Sequence, residues 1–191
     1  MHSCLVGSEM CIRDSTIAVH SPHHRDENQS EEVRVLSVPN KIASLACGRM
    51  SVIDQSPAVL FVGSTSNLMA FDVENNSDVF FQDVPDGVHC VGVGAIPGEE
   101  APVVVVGGNC SIQGFNEKGE EVFWTVAGDN VSAMTFVDDG RPGAGQHLVV
   151  GTEDYEIRVF EREEVLASVT ESDVINGLTH LTGSVFGFSL S

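Results

Sequence analysis

The chain has 191 residues, and its 9 Lys and Arg against 28 Asp and Glu give a formal net charge of −19 at pH 7. This charge argues against binding to nucleic acid and against direct docking on anionic lipid, because both of those surfaces attract basic patches. No segment approaches the roughly 20 apolar residues of a membrane-spanning helix, so the sequence predicts no direct membrane insertion.

Residues 1–15 do not follow the pattern of the rest of the chain. They read MHSCLVGSEMCIRDS, lack a cluster of positive charge and carry Glu9 in their one apolar stretch, which is unlike a signal peptide. They have no counterpart elsewhere in the sequence, and they resemble a string produced when sequencing-adapter DNA is translated. We therefore interpret residues 1–15 as an artefactual or disordered leader and expect them to be poorly anchored.

A short apolar segment at residues 16–20 reads as the end of an incomplete repeat, and a polar stretch over residues 20–32 follows it. This stretch contains His20, His23 and His24, which raises the question of a metal site. No Cys, Asp or fourth ligand lies nearby at a spacing typical of metal sites. The stretch is therefore predicted to be a solvated surface loop.

From residue 59 onward the chain repeats one unit three times. Each unit begins with an apolar run that is closed by a glycine, and the three glycines, Gly63, Gly107 and Gly151, are spaced 44 residues apart. A period of about 40–45 residues is typical of the four-stranded blades of β-propellers.

Each unit reads as four short strands. The first is a continuous run of β-branched and apolar residues, which favours a strand buried on both faces. The second alternates between apolar and polar residues, most clearly over residues 155–159. The third strands lie at 79–81, 122–124 and 165–167, and the fourth begin at Val88, Val131 and Val174. A helix over residues 162–171 is the competing interpretation, but the repeat places a strand there.

The sequence thus predicts an all-β fold over residues 16–191. We expect a partial β-propeller with about three complete four-stranded blades and incomplete blades at both ends. Complete propellers close about 4–8 blades into a ring, which protects the edges of the sheets. The chain therefore reads as an open arc of a larger ring.

No catalytic, cofactor-binding or metal-binding residues are predicted. The motifs of serine hydrolases, zinc proteases and phosphate-binding loops are all missing from the sequence. The loop at residues 138–146 occupies a position where some propellers bind calcium, but Arg141, Pro142 and Gly143 stand where oxygen ligands are needed. Trp124, the single tryptophan, is predicted to lie in the core.

The remaining distinctive residues have ordinary structural interpretations. Cys47, Cys90 and Cys110 lie in or beside apolar segments and are predicted to be buried thiols in a reducing compartment. Four Asn-x-Ser/Thr sequons are interpreted as chance matches, at Asn28, Asn75, Asn109 and Asn130. A run of acidic residues suits a solvated outer blade edge, with a patch for basic partners as the alternative; it comprises Glu161, Glu163, Glu164, Glu171 and Asp173. The polar turns at 64–67, 116–121 and 152–154 are predicted to form the accessible surface.

Four longer strings resemble the N-terminal propeller of the Bardet–Biedl syndrome protein 2 family, and they occur in family order. They lie at residues 75–80 (NNSDVF), 107–116 (GGNCSIQGFN), 122–131 (VFWTVAGDNV) and 150–160 (VGTEDYEIRVF). The resemblance covers residues 16–191. It departs at 138–146, where family members often carry a more acidic run that is closer to a calcium loop.

The resemblance implies a non-catalytic scaffold subunit of the BBSome, a coat-like complex that carries membrane-protein cargo to and from cilia. The implied partners are other BBSome subunits, among them Bardet–Biedl syndrome protein 7, and ciliary membrane-protein cargo. The implied location is the cytoplasm, the cilium and the basal body, peripheral to the ciliary membrane. Two alternatives stay open: an integrin-like adhesion propeller with calcium loops and glycosylated sequons, and a fragment of a propeller enzyme with a polar site at its central channel.

Overall fold

The computed structural model describes residues 3–5, 8–13, 15–20, 34–51, 56–138, 145–181 and 185–190. The regular structure in these ranges is entirely β. The strands are β1 Ser3–Leu5, β2 Ser8–Arg13, β3 Thr16–His20, β4 Arg34–Ser37, β5 Ile42–Gly48, β6 Val59–Ser64, β7 Asn67–Asp72, β8 Ser77–Asp83, β9 Cys90–Gly94, β10 Val103–Gly107, β11 Ser111–Phe115, β12 Glu121–Val126, β13 Val131–Asp138, β14 Gln146–Thr152, β15 Glu156–Glu161, β16 Glu164–Thr170, β17 Ile175–Leu181 and β18 Val185–Leu190.

The strands form antiparallel sheets in chain order, which confirms the predicted propeller. Blades A (β1–β4), B (β5–β8), C (β9–β12) and D (β13–β16) each have four strands, and hairpin E consists of β17 and β18. Strands β5, β9, β13 and β17 lie next to one another in succession, so they form the inner edges of their sheets. Strands β8, β12 and β16 lie at the outer edges.

The prediction that residues 1–15 are a poorly anchored leader stays a prediction, although two strands are described within this segment. Strands β1 and β2 lie in that segment, and β2 pairs with β3 so that Met10 is opposite Val19 and Ile12 is opposite Ile17. Because β3 pairs with β2 on one side and with β4 on the other, its backbone groups are hydrogen-bonded on both sides. Blade A is therefore a four-stranded sheet within the described residues.

The predicted position of the fourth strand within each repeat also needs correction. Val131 is the first residue of β13, Val174 immediately precedes β17, and Val88 lies two residues before the start of β9. These strands are hydrogen-bonded within the following sheet and form its inner edge. One sequence repeat therefore spans two blades, because the chain crosses from the outer edge of one sheet to the inner edge of the next.

The continuous apolar runs are buried on both faces, as predicted. In β10 the side chains of Val104 and Val106 pack in the core between blades B and C, whereas Val103 and Val105 pack in the core between blades C and D. The strand has no solvent-facing side, and this explains why its sequence does not alternate. The strand interpretation of residues 162–171 is confirmed by β16.

The three repeated glycines are contact points between neighbouring blades. A Cβ atom added to Gly107 would lie 2.5 Å from Cγ1 of Val131, and one added to Gly151 would lie 2.7 Å from Cγ2 of Ile175. Gly63 stands in the same relation to Val88 of the connection between blades B and C. Each glycine thus makes room for a β-branched side chain at the start of the next blade.

We expect Gly107→Ala to lower the free energy of unfolding by about 1–3 kcal/mol, because the added methyl group overlaps the Val131 side chain in a close-packed core. The matched control is Gly177→Ala in β17, where an added Cβ meets no atom within 4 Å. Chemical denaturation of both variants measures the difference, and equal effects would contradict the packing role.

Candidate docking surface

The connections of the propeller lie on two opposite faces. On one face the chain passes from each blade to the next, and the second strand of each blade turns into the third. We call this the connection face. Its turns between second and third strands lie at residues 64–67, 108–110 and 152–155. The turns between third and fourth strands lie on the opposite face, and the turn at 116–121 is one of them. The three polar turns singled out by the sequence therefore do not form one surface. Ser64 and Thr152 are also buried, because each binds the backbone of its own turn.

An aspartate organises the connection face of blade C. Oδ2 of Asp86 accepts hydrogen bonds from the backbone N–H groups of Cys110 and Ser111, at 3.0 and 2.9 Å, and from the Ser111 hydroxyl at 2.6 Å. The side-chain amide of Asn109 donates to the carbonyl of Asp86 at 2.6 Å, and its oxygen lies 2.9 Å from Nε2 of His89. This network ties the connection between blades B and C to the turn between β10 and β11.

The neighbouring blades repeat this tie with other polar residues. Asn40, which precedes β5, donates to Oδ1 of Asn67 at 2.7 Å. Asn130, which precedes β13, donates to Oε2 of Glu153 at 2.8 Å. Many polar residues on the connection face therefore form hydrogen bonds that join the segment before a blade to a turn of the same blade.

The asparagine side chains of three sequons also take part in hydrogen bonds. The Nδ2 atoms of Asn75, Asn109 and Asn130, to which a glycan would be joined, each donate a hydrogen bond within the propeller. The partner of Asn75 is the carboxylate of Asp72, at 2.7 Å. These asparagines therefore have structural roles. Asn28 lies outside the described residues.

Burial acts to raise the pKa of Asp86, but the pKa is nevertheless lowered because the Ser111 hydroxyl and two backbone N–H groups donate to the carboxylate, with His89 nearby. The pKa of Asp72 is lowered as well, chiefly by the backbone and side-chain donors of Asn75. A carboxylate with a lowered pKa stabilises the fold above its ordinary pKa of 3.8, and this contribution is lost as the pH falls through the lowered pKa of the folded chain.

We therefore expect Asp86→Asn to destabilise the chain near neutral pH, because an amide oxygen is a weaker acceptor for three donors than a carboxylate. The difference in unfolding free energy from wild type should shrink as the pH is lowered through and below 3.8. Urea denaturation at pH 7 and below pH 4 measures it. A difference that grows at low pH would show that the charge of Asp86 is not stabilising.

Two arginines of blade D hold it against blade C. The Arg162 guanidinium donates through Nη1 to Oε1 of Glu99 at 3.0 Å and through Nη2 to the Val122 carbonyl at 3.3 Å. Arg158 donates to the Ala127 carbonyl and pairs with Glu156. Both arginines therefore join blade D to blade C.

The prediction that Trp124 lies in the core was wrong, because its side chain is 50% exposed. Its neighbour Phe123 is the residue that enters the core between blades C and D, where it is only 4% exposed. Consecutive residues of a strand point to opposite faces, so Trp124 lies on the face of β12 turned toward blade B. Val126 lies on the same face and is also exposed.

A groove of about 340 Å³ runs beside these two residues. It is lined by Pro85, Asp86, Cys110, Ser111, Gln113, Trp124 and Val126.

The cysteine prediction holds only in part. Cys47 and Cys110 are exposed, and Cys90 is half-buried. Burial raises the pKa of the half-buried Cys90 to about 11. Cys110 is exposed because it lies in the polar turn between β10 and β11, and Cys47 is exposed on β5, the inner-edge strand of blade B.

The sequence predicted no metal or catalytic residues, and this stays a prediction. Among the described residues no group of three or more His, Cys, Asp and Glu is placed to hold a metal ion. Oδ1 of Asp138 accepts from the Gln146 amide at 3.0 Å, while residues 139–144 of that loop, His23 and His24 lie outside the described ranges. The described part of the chain contains no helix with the length and apolarity that a membrane span requires.

The comparisons with known families agree with this architecture. The profile of the N-terminal domain of ciliary BBSome complex subunit 2 matches residues 1–94, and that of its middle region matches residues 133–191. The chain belongs to the BBSome subunit 2 family. The resemblance seen in the sequence is thereby confirmed.

Curated members of the BBSome subunit 2 family match most or all of the chain. It is 35% identical over 200 residues to BBSome complex member BBS2 of Homo sapiens, covering 100% of this chain and 27% of the relative. It is 32% identical over 201 residues to the Danio rerio protein, with the same coverage, and 39% identical over 132 residues to the Caenorhabditis elegans protein, covering 69% of this chain and 18% of the relative. The chain thus spans about a quarter of the length of these relatives.

Solved structures share the fold at low sequence identity. A crystal structure of BBS1N in complex with ARL6DN matches with a TM-score of 0.50 and 12% identity, covering 92% of this chain and 68% of that one. A humanized mutant of Chaetomium thermophilum Polycomb Repressive Complex 2 matches with a TM-score of 0.69 and 10% identity, covering 96% and 44%. Such likenesses support the propeller fold and carry no functional information.

Proposed function

We propose that the chain is a non-catalytic docking propeller of a BBSome-type complex that carries membrane-protein cargo to and from the primary cilium. Membership of the BBSome subunit 2 family carries this proposal. The distribution of side chains supports it, because the buried polar residues Asp72, Ser111 and Thr152 are bonded within their own blades. The exposed apolar residues lie mainly on the outer strands β8, β12 and β16, where a partner can reach them.

The partners we propose are the other BBSome subunits, with Bardet–Biedl syndrome protein 7 among them, and ciliary membrane-protein cargo. The proposed location is the cytoplasm, the ciliary base and the cilium, where the complex would hold the chain near the membrane without inserting it. A net charge of −19 favours partners with basic surfaces and makes association faster at low salt.

We further propose that residues 16–191 belong to a larger ring. Ile157 packs on hairpin E, and Val169, which lies opposite it on the same face of blade D, is 53% exposed. In blade C the corresponding face is covered, since Phe123 is 4% exposed against blade D. Hairpin E has two strands in the described ranges, and two further outer strands would cover Val169.

This arrangement predicts a dependence on chain length. Val169→Glu should change the thermal stability of the 191-residue chain little, but it should destabilise a longer chain that contains the whole propeller, by about 2–4 kcal/mol, because the charge is then buried without a partner. Phe123→Glu is the matched control and should destabilise both chains. Thermal unfolding of both substitutions in both chain lengths measures these effects. An equal response of the two chains to Val169→Glu would contradict the larger ring.

The docking role is tested by co-purification of the full-length protein from ciliated cells. We expect the other BBSome subunits to be recovered. A Val105→Asp variant, which buries an unpaired charge at a fully buried position, should unfold the propeller and reduce their recovery. Recovery of secretory or extracellular-matrix proteins instead, with glycan attached to Asn75 or Asn109, would favour the adhesion alternative, and a co-purifying enzymatic activity would favour the propeller enzyme.

A further inference from the structure

The groove beside Trp124 lies on the connection face, between blade C and the segment that leads into it from blade B. One wall is the face of blade C that is turned toward blade B, and it carries Trp124 and Val126 from β12. Gln113 lies directly opposite Trp124 on the paired strand β11 and shares that face. Pro85 and Asp86, from the connection between the blades, form the other side.

The groove exists because the large residues of both outer strands point elsewhere. Phe80 of β8 enters the core between blades B and C, and Phe123 of β12 enters the core between blades C and D. A Cβ atom on Gly119, in the turn between β11 and β12, would lie 2.8 Å from Cγ of Phe80. Phe80 therefore packs at the end of this interface that is opposite the connection face, and the Trp124 ring beside the groove stays half-exposed. A tryptophan that is exposed beside an apolar groove is a typical anchor of protein interfaces.

The groove is mainly apolar, and Asp86 is the one charged residue among the described residues that line it. The Gln113 amide donates to Oε2 of Glu121 at 3.1 Å, which fixes the amide nitrogen on the carboxylate and leaves Oε1 buried without a hydrogen-bond donor. A ligand that suits Trp124 and Asp86 carries a positively charged group on a side chain that is otherwise apolar.

The volume of the groove limits the size of the ligand that it can bind. Its volume of about 340 Å³ lies at the lower end of the roughly 300–1,000 Å³ typical of ligand pockets. That is enough for one long side chain with its flanking backbone.

We propose that this groove binds an arginine side chain carried by an extended segment of a partner protein, an inference that rests on the proposed docking function. The planar guanidinium stacks on the face of Trp124, which is favourable for a cation on an aromatic ring. Its N–H groups are directed to the carboxylate of Asp86. Arginine suits the site better than lysine because its donors form a flat fork and it stacks on aromatic rings.

The test uses two peptides that differ only at the centre, Ac-Gly-Ser-Leu-Arg-Leu-Ser-Gly-amide and its glutamine counterpart, added to the whole chain. Trp124 is the single tryptophan, so its fluorescence reports on the groove alone. We expect the arginine peptide to change the emission and to bind at least tenfold more tightly than the glutamine peptide. Its affinity should fall as salt is raised from 50 to 500 mM, because the contact with Asp86 is electrostatic.

Two variants give the matched comparison, measured by calorimetry. Trp124→Leu removes the aromatic face and should weaken the arginine peptide at least tenfold. Phe81→Leu is the control, because Phe81 is 51% exposed at the corresponding position of β8, one blade earlier, and it should change the affinity less than twofold.

Equal binding of the two peptides, equal losses in the two variants, or absence of binding up to millimolar peptide would overturn the proposal. The outcome is separable from that of the proposed function. BBSome subunits that co-purify with a chain whose groove binds no arginine peptide would leave the docking role intact and remove only this site.

Discussion

Neighbouring blades of this propeller meet where a glycine in one sheet receives a β-branched side chain from the next. Gly107 against Val131 and Gly151 against Ile175 bring the second strand of one blade close to the first strand of its successor. A larger residue at the glycine would separate the sheets, and the apolar runs beside it would lose their contacts on that face. The cores between blades therefore depend on this contact, and its position sets the 44-residue period.

Hydrogen bonds on the connection face act with these contacts. Asp86 and Asn130 each tie the start of a blade to its own turn, so the inner strand begins at a defined height against the glycine of the preceding blade. Arg162, in the turn between the two outer strands of blade D, joins that blade to blade C. Such groups stabilise because they are paired; each would be costly if it were buried alone.

Because most of these polar residues make hydrogen bonds inside the propeller, the docking properties of the molecule depend mainly on its remaining exposed side chains. The outer strands carry exposed apolar side chains, among them Phe81, Trp124 and Val126, and the surrounding surface is strongly acidic. The rim therefore combines apolar contact area with negative potential, which suits partners that are apolar and basic. A rigid scaffold with such a rim is consistent with a structural subunit of a large complex.

The sequence by itself determined the repeat, the all-β class, the strands buried on both faces and the acidic surface. These properties follow from local patterns: a fixed spacing of glycines, continuous valine runs and composition. The tertiary structure decided which face of each outer strand is covered. Alternation in β12 shows that Phe123 and Trp124 point to opposite sides, but only the position of blade D makes Phe123 the buried one. The exposure of Cys110 and the pairing of β2 with β3 likewise depend on tertiary structure and strand register. The reason is that the surroundings of a strand are set by the strands and sheets that contact it, and not by its own residues alone.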